Sequence, residues 1–344
     1  MVEDVTMKKS IVCYILATVL LLMLLCGCTG TTAELTEPQE TENSYFAENC
    51  LPWKYDACAK AMEAGTIEYY FMHSDDVSYK KSNGSISHKW GDSCLIVFPN
   101  GETMLIDSGR PEYTYVLSEN LRRLGITKID YLMFSHCHID HVGGATSVGG
   151  VLDSFEIGKL YYPAVDQAYD YTQKCKSESL APEDYEALIA GDTRSFGEVS
   201  MTVLWPTTAH QGTIYSGTDD ANNTSLVVRF EYKDHSSLFT GDLYRGSIYG
   251  EEQMVQYHTQ QGKSHLLDAD LLKAPHHGTS VSSGREFLNV VTPTLSVATG
   301  YQVVTDEVRS NFGDSVLLSD MECGYIHVTA DGTENMTYEC SNSR

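Results

Sequence analysis

The chain has 344 residues, enough for one large domain or two small ones with a sizeable buried core, and its 42% hydrophobic and 20% charged content excludes wholesale disorder. Forty-seven acidic residues against 23 Lys and Arg give a formal net charge of -24. That balance repels polyanions and weighs against a protein that tracks along nucleic acid, although one phosphate group can still meet a metal site, whose cations dominate the local field.

Lys8 and Lys9 precede an almost unbroken apolar run, Ile11 to Leu25, which ends at Cys26-Gly27-Cys28. This pattern resembles a bacterial lipoprotein signal, which implies a signal peptide over residues 1–27 and a lipid anchor on Cys28. The run is short for a membrane-spanning helix. From there to Asn49 the chain holds five glutamates and no Lys or Arg, and reads as a solvated tether. Residues 28–65 are assigned to this acidic tether and an N-terminal extension. Residues 66–344 form one domain, because no linker, repeat or composition break follows Thr66. The expected location is the outer face of a bacterial cytoplasmic membrane. Ten cysteines in such a setting permit disulfides, and proximity suggests Cys50 with Cys58 and Cys323 with Cys340.

Within the domain, strand-like runs end repeatedly in polar residues of one chemical kind. Cys94 to Phe98 turns through Pro99-Asn100-Gly101 into Thr103 to Ile106, a hairpin signal, and stops at Asp107-Ser108-Gly109. Val116, Leu117, Leu121 and Leu124 carry a helical spacing closed by Gly125. Tyr131 to Phe134 then runs straight into Ser135-His136-Cys137-His138-Ile139-Asp140-His141. Further on, Ser225–Phe230 and Ser237–Thr240 read as paired strands, the second ending at Gly241-Asp242, and Leu271-Leu272-Lys273 ends at Pro275-His276-His277-Gly278. Strands alternating with helices predict a layered α/β fold, and functional groups at strand ends predict one cleft.

Three histidines and an aspartate within six residues are the strongest signal in the chain. Alternate residues of an extended loop point their rings to one side, so His136 and His138 can share one metal while Asp140 and His141 face a second. Imidazole and carboxylate donors suit zinc. Cys137 lies between two ligand histidines with its side chain turned away, so packing is a better reading than nucleophilic chemistry.

These residues resemble the metallo-β-lactamase superfamily, and the resemblance covers nearly all of the chain after Thr66. It implies a four-layer αββα sandwich with a two-metal cleft at one edge. It also implies ligands His136, His138, Asp140, His141, Asp242 and His277, with Asp107 bracing a ligand histidine. His276 is then placed to touch substrate, although His276 and His277 could exchange roles. Many members carry a further histidine between the signature loop and the bridging aspartate. In this chain only His210 and His235 lie there, in unfamiliar contexts, and Asn222-Asn223-Thr224-Ser225-Leu226 occupies the interval. That departure, with Gly91-Asp92-Ser93 and Pro-His-His-Gly, is similar to the hydrolase domain of ComEC-type competence channels and to surface phosphorylcholine esterases.

The implied function is hydrolysis of a phosphodiester at the cell surface, with two zinc ions, manganese being the alternative. A bound metal lowers the pKa of water to about 7. Asp140, Asp242 and His276 are the catalytic candidates, and Lys273 and Asn223 the substrate contacts, Lys273 being equally readable as the end of a strand. The expected partner is a small phosphodiester or a cell-envelope headgroup, with nucleic acid less favoured by charge; no protein partner is evident. Two alternatives are an acyl hydrolase acting on a lactam or lactone, and a non-catalytic surface binding protein that kept the fold.

Overall fold

The computed structural model describes residues 50–73, 77–80, 86–167, 171, 180–212, 214–215, 217–245, 250–300 and 304–342. The expected signal peptide, Cys28 and the acidic stretch to Asn49 lie outside these residues. No helix among the described residues is long and apolar enough to cross a membrane.

The first half of the chain lays down α1 (Ala57–Ala64), β1 (Ile67–Phe71), the hairpin of β2 (Val77–Lys80) and β3 (Ile86–Lys89), then β4 (Cys94–Val97) and β5 (Thr103–Ile106). It continues with α2 (Thr114–Arg123), β6 (Lys128–Met133), α3 (Ile139–Thr146), α4 (Val151–Ser154), β7 (Glu156–Pro163), β8 (Asp166–Gln167) and β9 (Tyr185–Leu188). The second half contributes β10 (Thr193–Phe196), β11 (Val199–Trp205), β12 (Ile214–Tyr215), α5 (Thr218–Asn223), β13 (Val227–Tyr232), β14 (His235–Phe239), α6 (Glu251–Gln260) and β15 (Leu271–Lys273). After these come α7 (Arg285–Val291), β16 (Leu295–Ala298), α8 (Asp306–Asn311), β17 (Val316–Ser319), α9 (Asp320–Cys323), β18 (Ile326–Ala330) and β19 (Met336–Cys340).

Two sheets result. One has the order β19-β18-β1-β4-β5-β6-β7-β9 and the other β10-β11-β13-β14-β15-β16-β17. Strands β5 to β9 in the first sheet and β14 to β17 in the second run parallel. The expected αββα layering follows from a period of two in the sequence. In β1, Ile67, Tyr69 and Phe71 enter the core between the sheets, whereas Tyr70 faces the helices. Cys94 and Ile96 alternate with Leu95 and Val97 in the same way, as do Met104 and Ile106 with Leu105. Phe71 stacks on Phe239 and Phe98 on Phe196 across the inter-sheet core. A second apolar layer lies under α1, α2 and α3, and a third under α6, α7 and α8.

The folded unit begins earlier than residue 66. Leu51 is fully buried, its N–H donates to Asn120 Oδ1 at 2.8 Å, and its carbonyl accepts from Arg123. Asp56 caps α1, whose Ala57 and Ala61 are fully buried. The expected Cys50–Cys58 bridge is absent: Cys50 packs with Tyr113 and Val116, while Cys58 joins the helix-side core. Cys323 and Cys340 are neighbours, both as thiols.

Candidate metal centre

Every histidine and aspartate proposed as a ligand follows the C-terminal end of a strand in the parallel part of a sheet, where open α/β sheets form their clefts. Asp107 follows β5, and the His136 to His141 loop follows β6. Asp242 follows β14, and His276 and His277 follow β15. His138 is the N-terminal flank of α3, so Asp140 and His141 sit in its first turn. Small residues let the segments meet. A side chain at Gly91 would lie 2.5 Å from the Asp140 carbonyl, and one at Gly144 would collide with the Ser108 carbonyl. His276 and His277 both take left-handed backbone angles, φ 44° and 59°, a turn that brings consecutive rings toward one carboxylate.

That carboxylate is Asp242. Its Oδ2 lies 3.2 Å from His141 Nε2, 3.3 Å from His277 Nε2, 3.8 Å from His276 Nε2 and 3.9 Å from His136 Nε2. His136 Nε2 is 2.8 Å from His138 Nδ1. Two donor groups therefore share Asp242 among the described residues: His136 with His138, and His141 and His277 with Asp92. The expected ligand Asp140 lies at the second group, its Oδ2 3.9 Å from His277 Nε2.

The outer nitrogens are held from behind. Asp107 accepts from His141 Nδ1 at 2.8 Å, from Ser135 N–H at 2.8 Å and from the Ser135 hydroxyl at 2.6 Å. His277 Nδ1 donates to the Thr299 carbonyl at 2.6 Å. These bonds fix each ring so that Nε2 faces the cleft, as carboxylates behind metal-ligating histidines do. The Nε2 atoms of His141 and His277 are buried and have no hydrogen-bond partner. Buried polar atoms without partners are costly, and a cation would satisfy both. Burial lowers the pKa of His136 and His138, so these rings are neutral and offer a lone pair. Burial alone would raise the pKa of Asp242, but His141 and His277 outweigh it and keep the carboxylate ionised. The donor set fits a pair of dications of the kind imidazole and carboxylate select.

The two neighbouring histidines are distinct. His277 is 3% exposed and points Nε2 at Asp242. His276 is partly exposed, bonds Thr279 Oγ1 through Nδ1 at 2.6 Å and meets the Tyr244 ring edge-on at 4.6 Å, at the mouth of the site. His210 and His235 stay away. The first packs on Trp205 at 4.4 Å and the second contacts the Tyr69 hydroxyl at 3.1 Å. Cys137 packs against the helix-side core.

Two expected substrate contacts are corrected. Lys273 is 4% exposed, and its ammonium pairs with Asp92 Oδ2 and donates to the Gly241 carbonyl at 3.1 Å, because its strand is buried on both faces. Asn223 is buried and structural, accepting the Tyr244 N–H on Oδ1 and the Trp205 indole N–H on its carbonyl. The preceding residue, Asn222, is the one beside the His138 ring and the Tyr244 hydroxyl, with its Oδ1 buried and unpartnered. Sequence reasoning missed Asp92 as a participant. It precedes a strand rather than following one, but the hairpin pairs Cys94 with Ile106 and so sets residue 92 beside Asp107. The predicted hairpin register held that signal.

A two-sheet α/β sandwich with paired imidazole–carboxylate clusters at the strand ends defines a class of metal-dependent hydrolases. The family model described as the metallo-beta-lactamase superfamily matches residues 90–297, and the chain belongs to that superfamily. ComE operon protein 3 of Bacillus subtilis is 26% identical over 228 residues, 60% of this chain and 26% of its own length. Competence protein ComA of Neisseria gonorrhoeae is 26% identical over 213 residues, 59% of this chain and 26% of its own length. The chain thus spans about a quarter of the curated relatives it matches. Among solved structures, Tm1679, a metal-dependent hydrolase of the β-lactamase superfamily, aligns at 15% identity and TM-score 0.46, covering 74% of this chain and 95% of that one. YhfI of Bacillus subtilis aligns at 14% identity and TM-score 0.42, covering 74% and 96%.

Proposed function

We propose that the protein hydrolyses a phosphodiester with two bound dications, zinc in the first instance. The observation that carries this reading is the asymmetry of the two donor groups. The second group has His141, His277 and Asp92 around the shared Asp242, with Asp140 3.9 Å from His277 Nε2. Among the described residues the first has His136 and His138 with Asp242, and both further histidines of the interval are held elsewhere. The first group therefore keeps room for a substrate oxygen. When bound, the paired ions supply an activated water at neutral pH and a clamp on the phosphoryl oxygens.

The chain's own residues do the rest. Asp242 joins the two groups through a single oxygen, and Asp107 fixes the His141 ring. Burial lowers the His276 pKa to about 4, so its ring enters neutral and can orient a substrate or water oxygen beside Asp242 through Nε2. The lack of a further histidine at the first group among the described residues and the Pro275-His276-His277-Gly278 motif support a phosphodiester substrate over a lactam. The charge of -24 favours a small phosphodiester or an envelope headgroup over long DNA. We also propose that Cys28 carries a lipid and holds the hydrolase on the outer face of a bacterial membrane.

The test is a soluble fragment beginning after Cys28, assayed with and without chelator on bis-p-nitrophenyl phosphate, p-nitrophenyl phosphorylcholine, single-stranded DNA and nitrocefin. Chelator-sensitive phosphodiester cleavage that disappears in Asp242→Ala is the expected result. A fragment that binds no metal, or that opens only nitrocefin, overturns the proposal.

A further inference from the structure

Lys273 is a buried cation in a cleft that should collect two more. The residue is 4% exposed, and its ammonium touches Asp92 Oδ2 and approaches the Gly241 carbonyl and Asp242. It donates to the Gly241 carbonyl at 3.1 Å, one residue before Asp242, and lies 3.8 Å from Asp242 Oδ1. Asp92 in turn lies 3.3 Å from His277 Nδ1 through Oδ1 and 3.9 Å from His141 Nδ1 through Oδ2, and accepts the Thr299 hydroxyl. Its backbone is clamped as well, donating to the Asp140 carbonyl at 2.9 Å and accepting from Gly109. One ion pair therefore reaches all three ligands of the second donor group that are buried: His141, Asp242 and His277.

The geometry points to the Lys273–Asp92 pair as the strut that positions the second metal and makes the loaded cleft attractive to an anion; this rests on the two-metal reading above. Two physical arguments carry it. First, the Lys273 ammonium lies 3.8 Å from Oδ1 of Asp242, a buried oxygen with no hydrogen-bond partner, and so holds that oxygen on its side by charge attraction while Oδ2 faces the four histidines. Without the ammonium, Asp242 could turn and offer both oxygens to one ion, losing the shared position. Second, the charges do not cancel. Asp92, Asp107, Asp140 and Asp242 against Lys273 leave three negative charges, which two dications would convert to one positive. Removing Lys273 alone brings the loaded site to neutrality, inside a chain whose overall charge repels anions.

The pair acts through the ligands, so both residues are positioning residues. Deleting one partner leaves the other charge buried and unpaired, which by itself destabilises a fold. The informative variant is therefore the double Asp92→Asn/Lys273→Met, which removes both charges together and keeps the volumes close. Zinc affinity would be measured by competition with a chromophoric chelator, with melting temperature as the fold control and inorganic phosphate inhibition as the anion probe. We expect Lys273→Met to lower the melting temperature and the double variant to recover most of that loss. The double variant should still bind one zinc well and bind the other at least tenfold more weakly, whereas Lys273→Met, whose loaded site is neutral, should be inhibited by phosphate at least tenfold less. A folded double variant with both zinc affinities within threefold of wild type, or a folded Lys273→Met protein with phosphate inhibition within threefold of wild type, overturns the inference alone. A wild-type protein that binds no zinc overturns the two-metal reading and takes this inference with it.

Discussion

Each ligand imidazole has two nitrogens, and the protein employs both. Nε2 of His141 and His277 faces Asp242, while Nδ1 is held by Asp107 in one case and by Thr299 and Asp92 in the other. Asp107→Asn should weaken metal binding about 10–100-fold, the usual cost of losing such a brace, in a chelator-competition titration. His235→Phe should leave that titration unchanged, since its ring belongs to the inter-sheet core with Tyr69. Most of the ligand set was legible because the signature loop puts four donors in six consecutive residues, and the family resemblance supplied Asp242 and His277. Lys273 was left open between a substrate contact and a strand end for a physical reason: a lysine at a strand end looks the same in sequence whether its ammonium meets solvent or a buried carboxylate. The choice between Asn222 and Asn223 was equally hidden, since it depends on which way the end of α5 turns toward the cleft.

At the scale of elements, the N-terminal extension and β1 illustrate what patterning can and cannot show. Alternation along β4 and β5 made their hairpin readable, whereas α1 packs with alanines, which leave a weak apolar stripe. Leu51→Ala should cost about 2–5 kcal/mol in urea unfolding, as for other fully buried leucines, although the residue lies before the expected domain start at residue 66. The pairing of β1 with β18 encloses Glu68, which accepts from His327 Nε2 at 2.5 Å, Thr66 at 2.6 Å and Thr329 at 2.7 Å. Burial alone would raise its pKa, but these hydrogen bonds outweigh it and hold it at about 2, below the ordinary 4.5. A depressed pKa means that the stabilisation is present above pH 4.5 and is lost as the pH falls toward 2. Glu68→Gln should flatten that limb of the stability–pH curve measured by chemical denaturation. An unchanged acid limb would assign the loss to other carboxylates.

Across the whole molecule, the donors come from both sheets, so bound metal would tie one sheet to the other. Free metal at 1,000 times its dissociation constant should add about 4 kcal/mol of stability, and stripping it should lower the melting temperature by on the order of 10 °C. The net charge of -24 makes a second prediction. Cleavage of an oligonucleotide, if it occurs, should speed up as salt rises from about 20 to 200 mM, because screening removes repulsion. A small phosphodiester should show little change. A rate that falls with salt on the oligonucleotide would mean that a local basic surface governs the encounter instead.

The order of strands in the first sheet has a consequence for how the protein is made. β18 and β19, which close that sheet against β1, leave the ribosome after the strands that carry the donor residues, and His136, His138 and His141 emerge long before Asp242 and His277. A growing chain therefore displays three imidazoles without the carboxylate that joins them, on a sheet whose edge is still missing. Native pairing across such a separation is slow, and it cannot begin until synthesis of the domain is nearly finished. Loss of the final strands should consequently leave an open sheet prone to misassembly, even though every metal ligand is still encoded.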